Sequence, residues 1–347
     1  MKTIKNIVIL ALIGLLLLLL SCNKDQEVIE LVDPKPVFAD KLTFQKIKDI
    51  PENHFEDQMP GFLANTSNNS LYLSCRDKFK LTTETVYKLN VNDLKLTTKN
   101  TIARDFATKR MHIFNNKLFV FGGEKFNKYD LNLNEEIVGT YYGSFVTYKS
   151  FSRFGSCILN ENAYIIGGFL GGESTSDSNY DKKIWKHNLN TNTFVQVASM
   201  PKNRYGGSSE IVNNKIYSFF GYEQIQDGNT NGTIQVHNDL LIFDINTNSF
   251  QTIALTKNVK ISFTAKFENY IFMAGNKIDS NSSSLVNGSF FGYFNTTTNT
   301  MTEIPVTVSD NGYAFPYFCE IEIMNGKIYA LVKNTSSSFS IQVANIK

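Results

Sequence analysis

Asn213-Asn214-Lys215-Ile216-Tyr217-Ser218-Phe219-Phe220-Gly221 decides how the chain is to be read. A polar pair suited to a turn is followed by an apolar run that ends at glycine. A long polar stretch comes next, then a second apolar run, Leu240 to Ile245, an Asn-rich turn, and a third run, Ser249 to Ile253. Asn favours such turns because its side chain closes them and tolerates left-handed backbone. The first run recurs as Asn69 to Cys75, Asn116 to Gly123, Asn162 to Gly168, Asn269 to Gly275 and Gly326 to Val332. Cys75, Gly122, Gly167, Phe220, Gly275 and Val332 occupy equivalent places, 47, 45, 53, 55 and 57 residues apart. Self-similarity at that period points to a repeat architecture.

Most copies are followed by a second strand and an Asn/Asp turn: Val86 to Asn92, Lys128 to Asn134, Ile184 to Asn190, Leu241 to Asn246 and Gly292 to Thr297. A third strand comes after several of them, at Thr193 to Val197, Ser249 to Ile253 and Thr300 to Ile304. Over residues 41–347 the period and strand order resemble the kelch β-propeller family, whose repeat runs to about 50 residues. The double glycine is present as Gly122-Gly123 and Gly167-Gly168, and degraded in the other copies. The resemblance implies an all-β, six-bladed propeller. The sixth copy supplies Phe318 to Met324, a strand around Ile328, and Phe339 to Val343, and is one strand short. Leu42 to Lys48 is an unclaimed strand that looks like Phe250 to Ile253, so it is expected to complete the last blade and close the ring. Closure removes exposed sheet edges.

Residues 1–21 read as a targeting segment. Lys2 and Lys5 precede an apolar run from Ile7 to Leu20, and Ser21-Cys22 follows. A basic start, an apolar core and a small residue before the cut describe a secretory signal, and the run is short for a bilayer span. The arrangement resembles a bacterial lipoprotein signal, which implies lipidation at Cys22. Residues 22–40 read as a tether, and the acidic residues just after Cys22 resemble the export signal of Bacteroidetes surface lipoproteins. The expected location is the cell envelope, held by lipid to the outer membrane on its periplasmic or surface side.

Losing residues 1–21 removes two lysines and leaves 32 basic against 32 acidic residues. A neutral chain has no general pull on nucleic acid, and none is expected as a partner. Cys75, Cys157 and Cys319 each lie inside an apolar run with no metal-ligand spacing, so three small buried thiols are expected and no metal or cofactor. His54, His187 and His237 show no such spacing either.

The expected site lies where the interblade connections meet the inner strands. Arg110, Arg153, Arg204 and Lys260 are expected at loop ends just before inner strands, and the polar loops Phe169 to Lys183, Tyr222 to Asn238 and Asn276 to Gly288 are expected to open on the same face. Kelch proteins often present an Arg there, and some relatives bind acidic ligands with it. Cations facing one concavity focus a positive potential, so the expected ligand is anionic: an acidic sugar or the acidic peptide of a partner protein. Tyr222, Phe169 and Tyr205 offer flat surface for a sugar ring. The other outcome is that each Arg hydrogen-bonds backbone carbonyls or a neighbouring blade's carboxylate, and burial of Arg153 and Arg204 against carboxylates of their own blades would overturn the site. For chemistry, Glu210, His112 and Arg204 are the candidates for proton transfer at a sugar carbon. Two function classes follow: a binding module, and a carbohydrate-active enzyme resembling the sialic acid mutarotases or epimerases.

Overall fold

The computed structural model describes residues 38–50, 60–76, 83–102, 110–122, 125–134, 136–140, 142–143, 151–152, 154–170, 181–219, 221–225, 233–255, 257–278, 285–310, 312–335 and 338–347. The signal, Cys22 and the tether up to residue 37 lie outside them. Among the described residues almost every regular element is a strand. No helix there is long and apolar enough to cross a membrane.

The strands gather into six antiparallel blades of a ring that spans Ala39–Lys347. Blade one is Gly61–Asn65, Ser70–Arg76, Thr83–Asn90 and Leu96–Ile102; blade two is Arg110–Phe114, Lys117–Gly122, Lys125–Asp130 and Glu136–Thr140. Blade three is Gly155–Leu159, Asn162–Ile166, Lys183–Asn188 and Thr193–Ser199; blade four is Ser208–Val212, Lys215–Phe219, Asp239–Asp244 and Ser249–Ala254. Blade five is Val259–Phe267, Tyr270–Ile278, Leu285–Asn295 and Thr300–Glu303. Blade six has Phe318–Met324, Lys327–Lys333 and Phe339–Asn345, and takes Leu42–Ile50 as its fourth strand. The inner strands contact their neighbours in turn right round the ring.

Closure occurs where the sequence places it. Leu42–Ile50 runs antiparallel to Phe339–Asn345, with Gln45 opposite Val343 and Ile50 opposite Phe339. Phe44, fully buried, packs its ring 5.7 Å from Phe291 and 5.4 Å from Phe318, edge-on. One feature was not legible: Val306–Val308 adds outside Leu42–Ile50 in parallel.

Asn-rich turns repeat because the same local chemistry repeats. Asn213 and Asn214 take φ of 50° and 59°, and Asn116, Asn160 and Asn325 are left-handed at the matching hairpins. At the next turn out, Asp244 Oδ1 accepts from the amides of Asn246 and Thr247. Asn188 and Asn295 do the same for the residues that follow them. These turns define one face of the ring, the hairpin face. The connections between second and third strands, and between blades, lie on the opposite, loop face. Every inner strand runs from the loop face to the hairpin face.

The apolar core is divided among the seams between blades. Leu73, Cys75, Leu331 and Ile341 meet where blades six and one adjoin. Phe119, Phe121, Ala163 and Trp185 fill the seam between two and three. Cys75, Cys157 and Cys319 are free, buried thiols. Small residues on the inner strands have a packing cause: a Cβ on Gly155 of blade three would collide with the Ser209 side chain of blade four.

Candidate functional site

Inner strands alternate their side chains between the axis and the sheet interior. Three of them carry a polar-apolar alternation, Arg110-Met111-His112-Ile113, Thr264-Ala265-Lys266-Phe267 and Glu320-Ile321-Glu322-Ile323, and Ser208-Ser209-Glu210-Ile211 departs from it only at Ser209. Their polar members converge on an axial cavity of about 230 Å³. Blade three adds Ser156 and Ile158, and blade one adds Leu63.

Arg110 holds the loop-face end. It is the first residue of its strand, 8 % exposed. Its Nε donates to the Phe154 carbonyl at 3.2 Å, Nη2 to the Gly207 carbonyl at 3.4 Å, and Nη1 to Glu320 Oε2 at 3.0 Å. One guanidinium therefore joins blade two to blade six across the axis and to the chain leading into blades three and four. Planar, five-donor geometry suits Arg to such a junction. Glu320 and Ser208, at the same end, are also buried. Ser208 Oγ and Thr264 Oγ1 are 2.8 Å apart, and Thr264 donates to Glu210 Oε1 at 3.2 Å. His112 Nε2 lies 2.6 Å from Ser156 Oγ.

Burial dominates the acid-base character of these groups. Glu210 is pushed up to about 7, with its Thr264 hydrogen bond and the Lys266 charge pulling back. Glu320 rises to about 8 for the same first reason, although Arg110 draws it down. Glu322 stands well above the usual carboxylate range, raised by burial and then by the charges of Glu210 and Glu320. His112 falls to about 3, first by burial and then by the Arg110 charge, so it is neutral across the physiological range. The Cys157 thiol is pushed well up by burial.

The sequence-predicted residues are only partly brought together. Arg110, His112 and Glu210 share the cavity. The equal register expected for the cations is not found. Arg110 lies within its strand and turns to the axis, Lys260 is the second residue of Val259–Phe267, and Arg204 precedes Ser208–Val212 by four residues. Arg204 is buried at 4 % exposure, and its Nη2 stands 2.6 Å from Asp239 Oδ1 of the same blade, away from the cavity lining. That own-blade pairing counts against the expected site, and Arg110 takes the other outcome, bonding backbone carbonyls and a carboxylate of another blade. Tyr205 is buried too and offers no open surface. Arg153 and His54 lie outside the described residues, as do the side chains of Tyr222 and Phe169. His187 is a core residue among the rings of Phe121, Phe126 and Phe194. Lys266, Glu320 and Glu322 were missed; the alternation around each was the signal that would have found them.

The interblade contact beside Arg204 shows what the double glycine does. Gly167 and Gly168 have φ of 60° and 114°, and the Gly168 amide donates to the Arg204 carbonyl at 2.8 Å. A Cβ on Gly167 would overlap that same carbonyl. Next to it, Trp185 Nε1 donates to Asp181 Oδ2 at 2.7 Å. The Kelch motif description matches residues 150–201, the stretch that builds this blade. The ring is a six-bladed β-propeller with a Kelch motif match in its third blade. The solved structure titled "Structure of YjhT" is similar over 83 % of this chain and 97 % of that one, with a TM-score of 0.58 and 11 % sequence identity. At that identity the likeness concerns the fold. No curated protein matches the chain by sequence. Within this propeller, the axial cavity is where titratable groups concentrate among the described residues.

Proposed function

We propose that this kelch propeller is a small-ligand-binding module of the cell envelope, tethered by a lipidated Cys22, whose axial cavity takes a small, hydroxyl-rich acid such as an acidic sugar. The observation that carries this reading is the cavity's make-up. Two cations, three carboxyl groups and the hydroxyls of Ser156, Ser208 and Thr264 face one space enclosed by six blades. Its volume is below the roughly 300–1,000 Å³ of sites for drug-sized ligands, which favours a ligand of monosaccharide size over a peptide. Near neutral pH Glu320 is largely protonated, and burial favours the protonated form of Glu322. They then act as hydrogen-bond donors, and Arg110 and Lys266 outweigh the remaining charge.

The test is direct titration of the purified ring with N-acetylneuraminate and with glucuronate, followed by calorimetry. Saturable binding of either acid, competed by the other, supports the proposal. Absence of binding to both, with the ring folded, refutes it.

A second reading, an enzyme that exchanges anomers or epimers of an acidic sugar, is favoured by one observation. Glu210, at about 7, is poised to give and take a proton near neutral pH, where general acid-base groups work best. The neutral His112 is a hydrogen-bond partner in this scheme and not the base. Anomer exchange of N-acetylneuraminate followed by NMR decides it: acceleration that is lost in Glu210→Gln supports catalysis, and an uncatalysed rate excludes it for this substrate.

A further inference from the structure

We infer that the ligand enters the axial cavity from the hairpin face and that its carboxylate is met there by Lys266. This rests on the acid-binding reading of the cavity above and adds to it the route, the anchoring residue and the charge class.

Three observations carry the inference. First, Arg110 is already engaged as a structural junction, with three of its five N–H donors in use. Each of its three nitrogens already donates, to two carbonyls and to Glu320. A ligand that took over those three donors would have to break a junction between blades.

Second, exposure rises along the cavity in one direction. Arg110, Ser208 and Glu320, at the loop-face end, are 8 %, 7 % and 5 % exposed. Glu210, Ile158 and Glu322, further along, are half-buried, and Lys266 is exposed. Lys266 is the last residue but one of Val259–Phe267, beside the hairpin turn into Tyr270–Ile278. The cavity is thus stoppered by Arg110 and open at Lys266.

Third, Lys266 forms no ion pair with another described residue, yet its charge is felt by Glu210 and Cys157. Its ammonium therefore stands over the cavity with bonds to give. A compact, strongly hydrated charge on a flexible stem suits capture at a mouth better than a fixed junction does.

The same lining sets the charge class. Glu210, Glu320 and Glu322 all face the space beneath Lys266. A dianion such as a phosphate monoester would meet three carboxyl groups with one uncommitted cation among the described residues. A monoanionic carboxylate needs only that one cation, with hydroxyl and protonated carboxyl donors completing its shell.

The experiment compares each sugar acid with its own methyl ester, which keeps shape and removes charge. Binding of N-acetylneuraminate, glucuronate and both esters is measured on the wild-type ring, Lys266→Met and Lys266→Arg. The expected result is a wild-type preference for acid over ester of about tenfold or more, abolished in Lys266→Met with ester binding unchanged. Lys266→Arg restores it. Because Lys266 is exposed, the unfolding midpoint of the variants stays that of the wild type, and this is checked alongside. A preference that survives in Lys266→Met overturns the inference and leaves acid binding standing. A wild-type ring that binds neither acid overturns both. Competition by inorganic phosphate stronger than by either acid overturns the charge class.

Discussion

Replacing Arg110 by methionine keeps the stem and removes the guanidinium that joins the blades. Two carbonyls, of Phe154 and Gly207, lose their charged donor, and Glu320 loses its partner. A buried acceptor left unsatisfied costs about 1–3 kcal/mol, so the two carbonyls put the loss at roughly 3 kcal/mol at pH 6. At that pH Glu320, raised to about 8, is protonated with or without Arg110, and the penalty contains no buried charge. Above pH 8 the cases separate. Arg110 lowers the Glu320 pKa, so removing it raises that pKa further. A folded-state pKa above the unfolded value gives stability that is full below the unfolded pKa and lost as pH rises through the folded one. The variant therefore keeps losing stability above pH 8, where the wild type has stopped, by up to about 1.4 kcal/mol per pH unit. Urea unfolding of both proteins at pH 6 and pH 9.5, followed by tryptophan fluorescence and circular dichroism, reads this out. A loss below about 1 kcal/mol at pH 6, or a deficit equal at the two pH values, refutes the junction as described.

Phe44→Ala empties a fully buried ring site at the closing seam and should cost about 3–5 kcal/mol in urea unfolding; a cost under 1 would mean that Leu42–Ile50 is dispensable. The raised Glu210, Glu320 and Glu322 make the ring lose stability as pH climbs from about 4.5 through 7 and 8. Glu322→Gln, neutral at every pH, should flatten that slope in melts at pH 5, 7 and 8.5, and an unchanged slope counts against the carboxyl cluster. Cys22→Ser should abolish lipid labelling and shift the protein out of the membrane fraction; unchanged fractionation rules out the anchor.

The fold was legible because its cause is local and repeated. Asn at the hairpins and Asp or Asn at the outer turns recur with every copy, so a period shows even where the double glycine has decayed to Cys75-Arg76 or Val332-Lys333. The missing fourth strand of blade six was equally readable, since a sheet one strand short must find another. The site was not, because a loop end and a strand start differ by one or two residues that composition does not mark. Moving Arg110 one place into its strand turns it from the rim to the axis. Arg204, four residues ahead of its strand, meets Asp239 instead. Lys266, Glu320 and Glu322 announce themselves only as every second residue of an inner strand, a weak pattern until the six strands are set around one axis.

Closing a ring with its first strand has a kinetic price. Gln45 finds Val343 only after nearly the whole chain is available, so the pairing that completes blade six is the least local contact in the ring. Contacts of such sequence separation form slowly, because loop closure must precede the gain. Until then Leu42–Ile50 lacks its antiparallel partner Phe339–Asn345, and the blade that buries Phe44 is unfinished. During synthesis, five blades can assemble one after another while the first strand waits for the last to arrive. Losing the strand Phe339–Asn345 would thus disable both ends of the ring at once, and the waiting strand is the place where a chaperone would have most to protect.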